Sequence, residues 1–218
     1  IGRGPGLHRS LDEVLAFRRF VLSTPGAIPS DVIFLRGAQE EMWQKLLQVQ
    51  FAPDPKQALA WMLDQGVEAT LAAYGSRPQD AMGAARDGVI QLTRWTSRLR
   101  EAMRNAPGHV NYFAELRRAA LTDPPEGGRA ILMVSAGLDV TRPLVAQRDN
   151  FWWSPGGFAD IAEPYEQFGL ILRGFDPQGR GVRLGAFTCS LDAGSGRGGR
   201  LACARIGRLG EIEEIREF

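Results

Sequence analysis

Cysteine and histidine are the scarcest chemistry in this chain, with two of each among 218 residues. Cys189 and Cys203 are too few for a disulfide framework, which points to a reducing compartment and a cytoplasmic location. His8 and His109 stand far apart in the sequence, so no Cys/His metal cage is expected. No run of roughly 18 apolar residues exists, which argues against a membrane-spanning helix. A dominant charge is lacking as well: 26 basic and 25 acidic residues give a net charge of +1, so the total does not point to nucleic acid or an anionic membrane. The chain opens Ile1-Gly2-Arg3-Gly4-Pro5, without an initiator Met or a signal-peptide pattern, and reads as processed or incomplete there. What is present is 44% hydrophobic and 23% charged content, enough for one globular domain, with or without an insertion.

The patterning changes along the chain. Ser10-Leu11-Asp12-Glu13 resembles a capping box, and Leu11, Val14, Leu15, Phe17, Val21 and Leu22 follow at helical spacing until Pro25. The run Asp31-Val32-Ile33-Phe34-Leu35-Arg36 has the length and apolarity of a strand buried on both faces. Residues 38–121 read as helical. Asp54-Pro55 opens one helix, and Leu92, Trp95, Leu99 and Met103 form one stripe of another. Beyond Pro124-Pro125 the segments 130–134, 168–172, 184–191, 200–206 and 211–218 are β-like, separated by Gly- and Pro-rich turns. The expectation is an α/β fold with a helical middle.

Short motifs in order along nearly the whole chain carry a resemblance. They are Arg3-Gly4-Pro5, Leu35-Arg36-Gly37-Ala38-Gln39-Glu40, Gly66-Val67-Glu68-Ala69-Thr70-Leu71-Ala72-Ala73-Tyr74-Gly75, Val134-Ser135-Ala136-Gly137, Phe151-Trp152-Trp153-Ser154, Arg173-Gly174-Phe175-Asp176-Pro177 and Leu191-Asp192-Ala193-Gly194. Together they resemble the bacterial serine/threonine phosphatase-like (calcineurin-like) metallophosphoesterases. The resemblance implies one domain over residues 1–218: a β-sandwich flanked by helices, a helical insertion at about 41–125, and N-terminal strands missing from the chain.

The chemistry of that family needs two metal ions about 3.5–4 Å apart, held by carboxylate, amide and imidazole ligands. At the positions the resemblance assigns to ligands and catalytic groups, this chain carries others. Ala38 stands for a ligand Asn, and Gln39 for the His that would protonate the leaving oxygen. Gly2 stands for the Asp that orients that His, Ser135 and Phe175 for ligand His residues, and Ser154 for a phosphate-gripping Arg. The implied protein is a pseudophosphatase, with no metal and no cofactor, acting as a binding or structural subunit with a protein partner. The alternatives are a phosphoesterase with metal-independent or single-metal chemistry, and a sensor of a phosphate- or nucleotide-type anion. Arg3 and Arg173 are the candidate anion-binding residues.

Three further features have plain readings beside sharper ones. Gly194-Ser195-Gly196-Arg197-Gly198-Gly199-Arg200 lacks the Gly-Lys-Ser/Thr ending of a phosphate loop and is expected to be a hairpin turn. Arg94, Arg98, Arg100 and Arg104 read as a solvated helix face rather than a nucleic-acid surface. Phe151, Trp152 and Trp153 read as core or as a contact surface for a partner.

Overall fold

The computed structural model describes residue 4 and residues 6–218, as an α/β protein. Its packing divides into two compact units: one holds the described residues up to Phe34 together with Ala38–Leu116, and the other holds Leu35–Gly37 and Arg117–Phe218. No helix among the described residues is long and apolar enough to cross a membrane.

The first unit is helical: α1 (Leu7–Leu22), α2 (Ala38–Leu46), α3 (Pro55–Asp64), α4 (Glu68–Ala73), α5 (Pro78–Arg86), α6 (Val89–Asn105) and α7 (His109–Glu115). Apolar side chains recurring every three or four residues put one stripe of each longer helix into a common core. Leu7, Leu11 and Leu15 of α1 meet Trp43, Leu46, Leu59, Leu71, Leu92, Trp95 and Leu99 there. Trp43, fully buried, stacks on Tyr74 with ring centroids 4.9 Å apart. The expected stripe of α6 is buried throughout, while Arg94, Arg98 and Arg104 lie on its exposed face. Asp54 caps α3 by accepting a hydrogen bond from the Gln57 backbone N–H at 2.9 Å, with Pro55 in the first turn.

Two local expectations are corrected here. Helix α1 begins a turn before the Ser10 capping box: Gly6, at φ 116°, precedes its first residue, and Ser10 already donates its backbone N–H to Gly6. Residues 31–36 do not form a strand. Pro29–Asp31 is a 3-10 turn in which the Asp31 carboxylate accepts from the Ile28 N–H, and Ile33 is exposed. Local turn chemistry wins over the apolar run. Only Leu35 makes a bridge, to Arg117.

The second unit contains β1 (Ala120–Leu121), β2 (Ala130–Val134), α8 (Asn150–Trp153), β3 (Phe168–Arg173), β4 (Arg183–Leu184), β5 (Thr188–Ser190), β6 (Ala202–Ile206) and β7 (Ile212–Glu217). Five strands form a mixed sheet in the order β1-β2-β3-β5-β4, with β2, β3 and β5 parallel and the outer pairs antiparallel. Leu132, Val134 and Ile171 lie on one face, against Phe151, Trp152, Phe158 and Tyr165, and Phe168 joins them across the irregularity in the β2–β3 register between Ala130 and Ile131. Ile131, Leu170 and Leu172 point to the other, against Ile206, Ile212 and Ile215 of the β6–β7 hairpin. A central sheet covered on both faces explains why its strands read as unbroken apolar runs. The segment 194–200 is not the expected hairpin turn. It contains a 3-10 turn at Ser195–Arg197 and leads from β5, in the large sheet, to β6, which pairs with β7.

Candidate functional site

In sheets with adjacent parallel strands, ligand sites favour the crevice beyond the carboxyl ends of those strands. Here the registers Val134↔Arg173 and Arg173↔Ser190 align the ends of β2, β3 and β5. The segments that follow, Ser135-Ala136-Gly137, Gly174-Phe175-Asp176 and Leu191-Asp192, emerge side by side. The backbone N–H groups of Gly174 and Phe175 both donate to the Ser135 carbonyl, at 3.1 and 2.8 Å, tying the first two segments together. The Asp176 N–H donates to an Asp192 carboxylate oxygen at 2.9 Å, tying in the third.

Charge fills this junction. The Arg173 guanidinium lies 2.9 Å from the Asp176 carboxylate, and the two side chains are 3% and 1% exposed. Arg173 also donates to the Ser190 hydroxyl at 3.2 Å and to the Ala136 carbonyl at 3.4 Å, and its guanidinium lies over the Phe158 ring at 4.3 Å. Asp176 accepts further from Arg180 Nε at 2.9 Å and from the Gln178 N–H at 3.0 Å. Asp192 accepts from Arg197 at 2.7 Å and from the Gly194 N–H at 2.8 Å. Three guanidinium groups thus surround two carboxylates. Burial pushes the Asp176 carboxyl up, but the hydrogen bonds from Arg180 and Gln178 and the charge of Arg173 outweigh it and hold Asp176 below the ordinary Asp range. Burial also works against the charged form of Arg173, and Asp176 opposes that.

The residues singled out from the sequence divide between the two units. Ser135, Arg173 and Phe175 come together at the junction just described. Ser154, at φ 52°, packs its hydroxyl against Gly137 so closely that a Cβ there would stand 2.8 Å from Ser154 Oγ. The guanidinium of Arg173, a candidate for holding an anion, is turned to Asp176. Ala38 and Gln39 open α2 in the other unit. Gln39 is buried, with its amide nitrogen donating to the Gln65 carbonyl at 2.9 Å and its Oε1 without a hydrogen-bond partner. Gly2 and Arg3 lie outside the described residues. Phe151 and Trp152 are core residues of the second unit, whereas Trp153 is 38% exposed.

Sequence reasoning missed a second polar cluster, in the first unit. His8 and Asp12 lie one turn apart on α1, and the His8 Nδ1 stands 3.1 Å from one Asp12 carboxylate oxygen. The other carboxylate oxygen is 3.1 Å from Nε2 of His109, the first residue of α7 and 97 positions away in the chain. The Nδ1 of His109 is 2.9 Å from the Tyr74 hydroxyl, and the two imidazole rings approach to 4.6 Å between centroids. Gly108, at φ 82°, permits this close approach of α7 to α1: a Cβ at that position would meet Leu15 at 3.1 Å. The hydrogen bond with His109 is the main cause that holds the Asp12 carboxyl below the usual range. Burial pushes the Tyr74 hydroxyl well up, so it stays protonated. Only the spacing of His8 and Asp12, four residues apart on a helix, was visible beforehand.

A scan against protein-family models and searches of curated proteins and of solved structures find no match to this chain.

Proposed function

We propose that this chain is a non-catalytic, metallophosphoesterase-like protein that works as a binding or structural subunit of a larger assembly. The observation that carries the reading is the buried Arg173–Asp176 pair at the carboxyl ends of the parallel strands. Two-metal hydrolysis requires those ends to present ligands for divalent cations. Arg173 instead brings a permanent cation to the junction and engages its most buried carboxylate, so a divalent ion would meet repulsion from the guanidinium. Ser135 uses its carbonyl to anchor Gly174 and Phe175, Phe175 has no donor atom in its side chain, and Gln39 is an amide with no titration near neutral pH. A calcineurin-like β-sandwich is part of the same proposal, supported by the two-stranded sheet packed on one face of the five-stranded sheet. A cytoplasmic location is part of it too, supported by the two free cysteines.

A fold kept without its chemistry is most simply retained for binding. The test is affinity capture of the chain from its native source, followed by mass determination of the intact complex. The expected result is a stoichiometric particle well above the 23.9 kDa of the chain. A lone monomer that hydrolyses phosphoesters would overturn the proposal.

A further inference from the structure

We propose that His8, Asp12 and His109 form a binding site for one divalent ion of the borderline class, such as Zn²⁺, Co²⁺ or Ni²⁺, bridging α1 and α7. Both histidines of the chain, separated by most of the helical unit in sequence, meet at a single carboxylate. One nitrogen from each ring and one carboxylate oxygen all lie within 4.8 Å of one another. A tetrahedral or octahedral ion with ligand bonds of about 2.0–2.2 Å places its ligand atoms roughly 3–4 Å apart. Each imidazole stands 3.1 Å from its own oxygen of the Asp12 carboxylate, and the set with one oxygen, within 4.8 Å, closes to that range by a small turn of the exposed His8 and Asp12 side chains. An ion drawn in between takes the ring nitrogens that now face the carboxylate, and in each neutral ring the proton moves to the other nitrogen: Nε2 of His8, on the exposed side, and Nδ1 of His109.

The surroundings match what such a site needs. His109 is fully buried, and its second ring nitrogen is held by the Tyr74 hydroxyl, the arrangement that fixes the orientation and tautomer of a ligating imidazole. With the ion on Nε2, the Nδ1–H donates to the Tyr74 oxygen. His8 and Asp12 are about half exposed, at 46% and 51%, so an ion can reach the site from solvent. Two imidazoles and one carboxylate select borderline ions over Mg²⁺ and Ca²⁺, which favour sets made entirely of oxygen. Three protein ligands leave at least one position to water, so the ion fastens α1 to α7 and retains a solvent ligand. The inference is independent of the proposed function: it concerns the helical unit, and it departs from the sequence-based expectation that the chain takes no metal.

The test uses the full chain, stripped with a chelator and dialysed against ZnCl₂, with Co²⁺ as a spectroscopic probe. The expected result is one Zn²⁺ per chain, a Zn²⁺-dependent rise in melting temperature, and visible Co²⁺ absorption bands. H8A and D12N should each weaken binding at least about tenfold. His8 and Asp12 are exposed, so these variants keep the core intact even where H109Q fails to fold. Absence of stoichiometric Zn²⁺ in the wild type, or binding by H8A and D12N as tight as wild type, overturns the proposal and leaves the cluster a hydrogen-bonded brace.

Discussion

Asp176 in the second unit and Asp12 in the first each anchor a polar cluster, but their partners differ in kind. Asp176 is buried and meets guanidinium groups from Arg173 and Arg180, cations that never leave and never coordinate a metal. Asp12 is half exposed and meets two imidazoles, whose ring nitrogens take either a proton or an ion. The first arrangement closes a junction of strand ends with the protein's own charge. The second leaves a junction of two helices open to a guest. Similar carboxylates therefore do opposite work according to the partner and its burial.

The largest expected effect comes from breaking the closed cluster. R173M leaves Asp176 buried with its nearest-buried cation gone, and removing one partner of such a pair costs about 3–5 kcal/mol. Urea unfolding measures it. Replacing both partners, as R173M with D176L, should cost less than R173M alone, because no buried charge is left without its partner and Arg180, which also loses Asp176, reaches water. A double variant at least as unstable as the single one would show that the pair is not the organising interaction.

The same cluster has a pH signature. Asp176 titrates below the ordinary Asp value in the folded chain, so its contribution is fully present above that value and is lost as pH falls through the depressed one. Stability should therefore decline below about pH 4, and D176N should flatten that decline. Equal acid sensitivity in the two proteins would place the loss elsewhere.

At the imidazole cluster the expected change is smaller. Y74F removes the hydroxyl that meets buried His109 and leaves a ring nitrogen unpaired, at a cost of about 1–3 kcal/mol. The smallest effect belongs to an ordinary surface pair: R205A breaks its contact with Glu213 on the β6–β7 hairpin, both partners well exposed, and should change stability by about 0–1 kcal/mol. The spread between Arg173 and Arg205 measures how much burial decides.

Periodicity made much of the fold legible. The stripe Leu92, Trp95, Leu99 and Met103 identified α6, and the apolar runs identified β2 and β3, because in each case one geometric period controlled burial. Residues 31–36 misled for the converse reason: Pro29 and Asp31 set a turn that periodicity does not report. At the site, Ser135, Arg173 and Phe175 were singled out by the resemblance alone, and the structure sets them at neighbouring strand ends while Ala38 and Gln39 open a helix of the other unit. The partner of Arg173 stood three residues on, in the same motif, yet the pairing depends on the turn after β3 and shows only in three dimensions. The imidazole cluster lay beyond reach because a contact spanning 97 residues leaves no local pattern in a single sequence.

The proposed closure of the strand-end junction by its own ion pair implies no phosphoester hydrolysis there. Its most direct test is turnover of an aryl phosphate and a phosphopeptide by the purified chain, with and without Mn²⁺, beside D192N as a control at the junction. Rates indistinguishable from buffer are expected for both proteins at every metal concentration. Metal-dependent turnover by the wild type that D192N abolishes would contradict it.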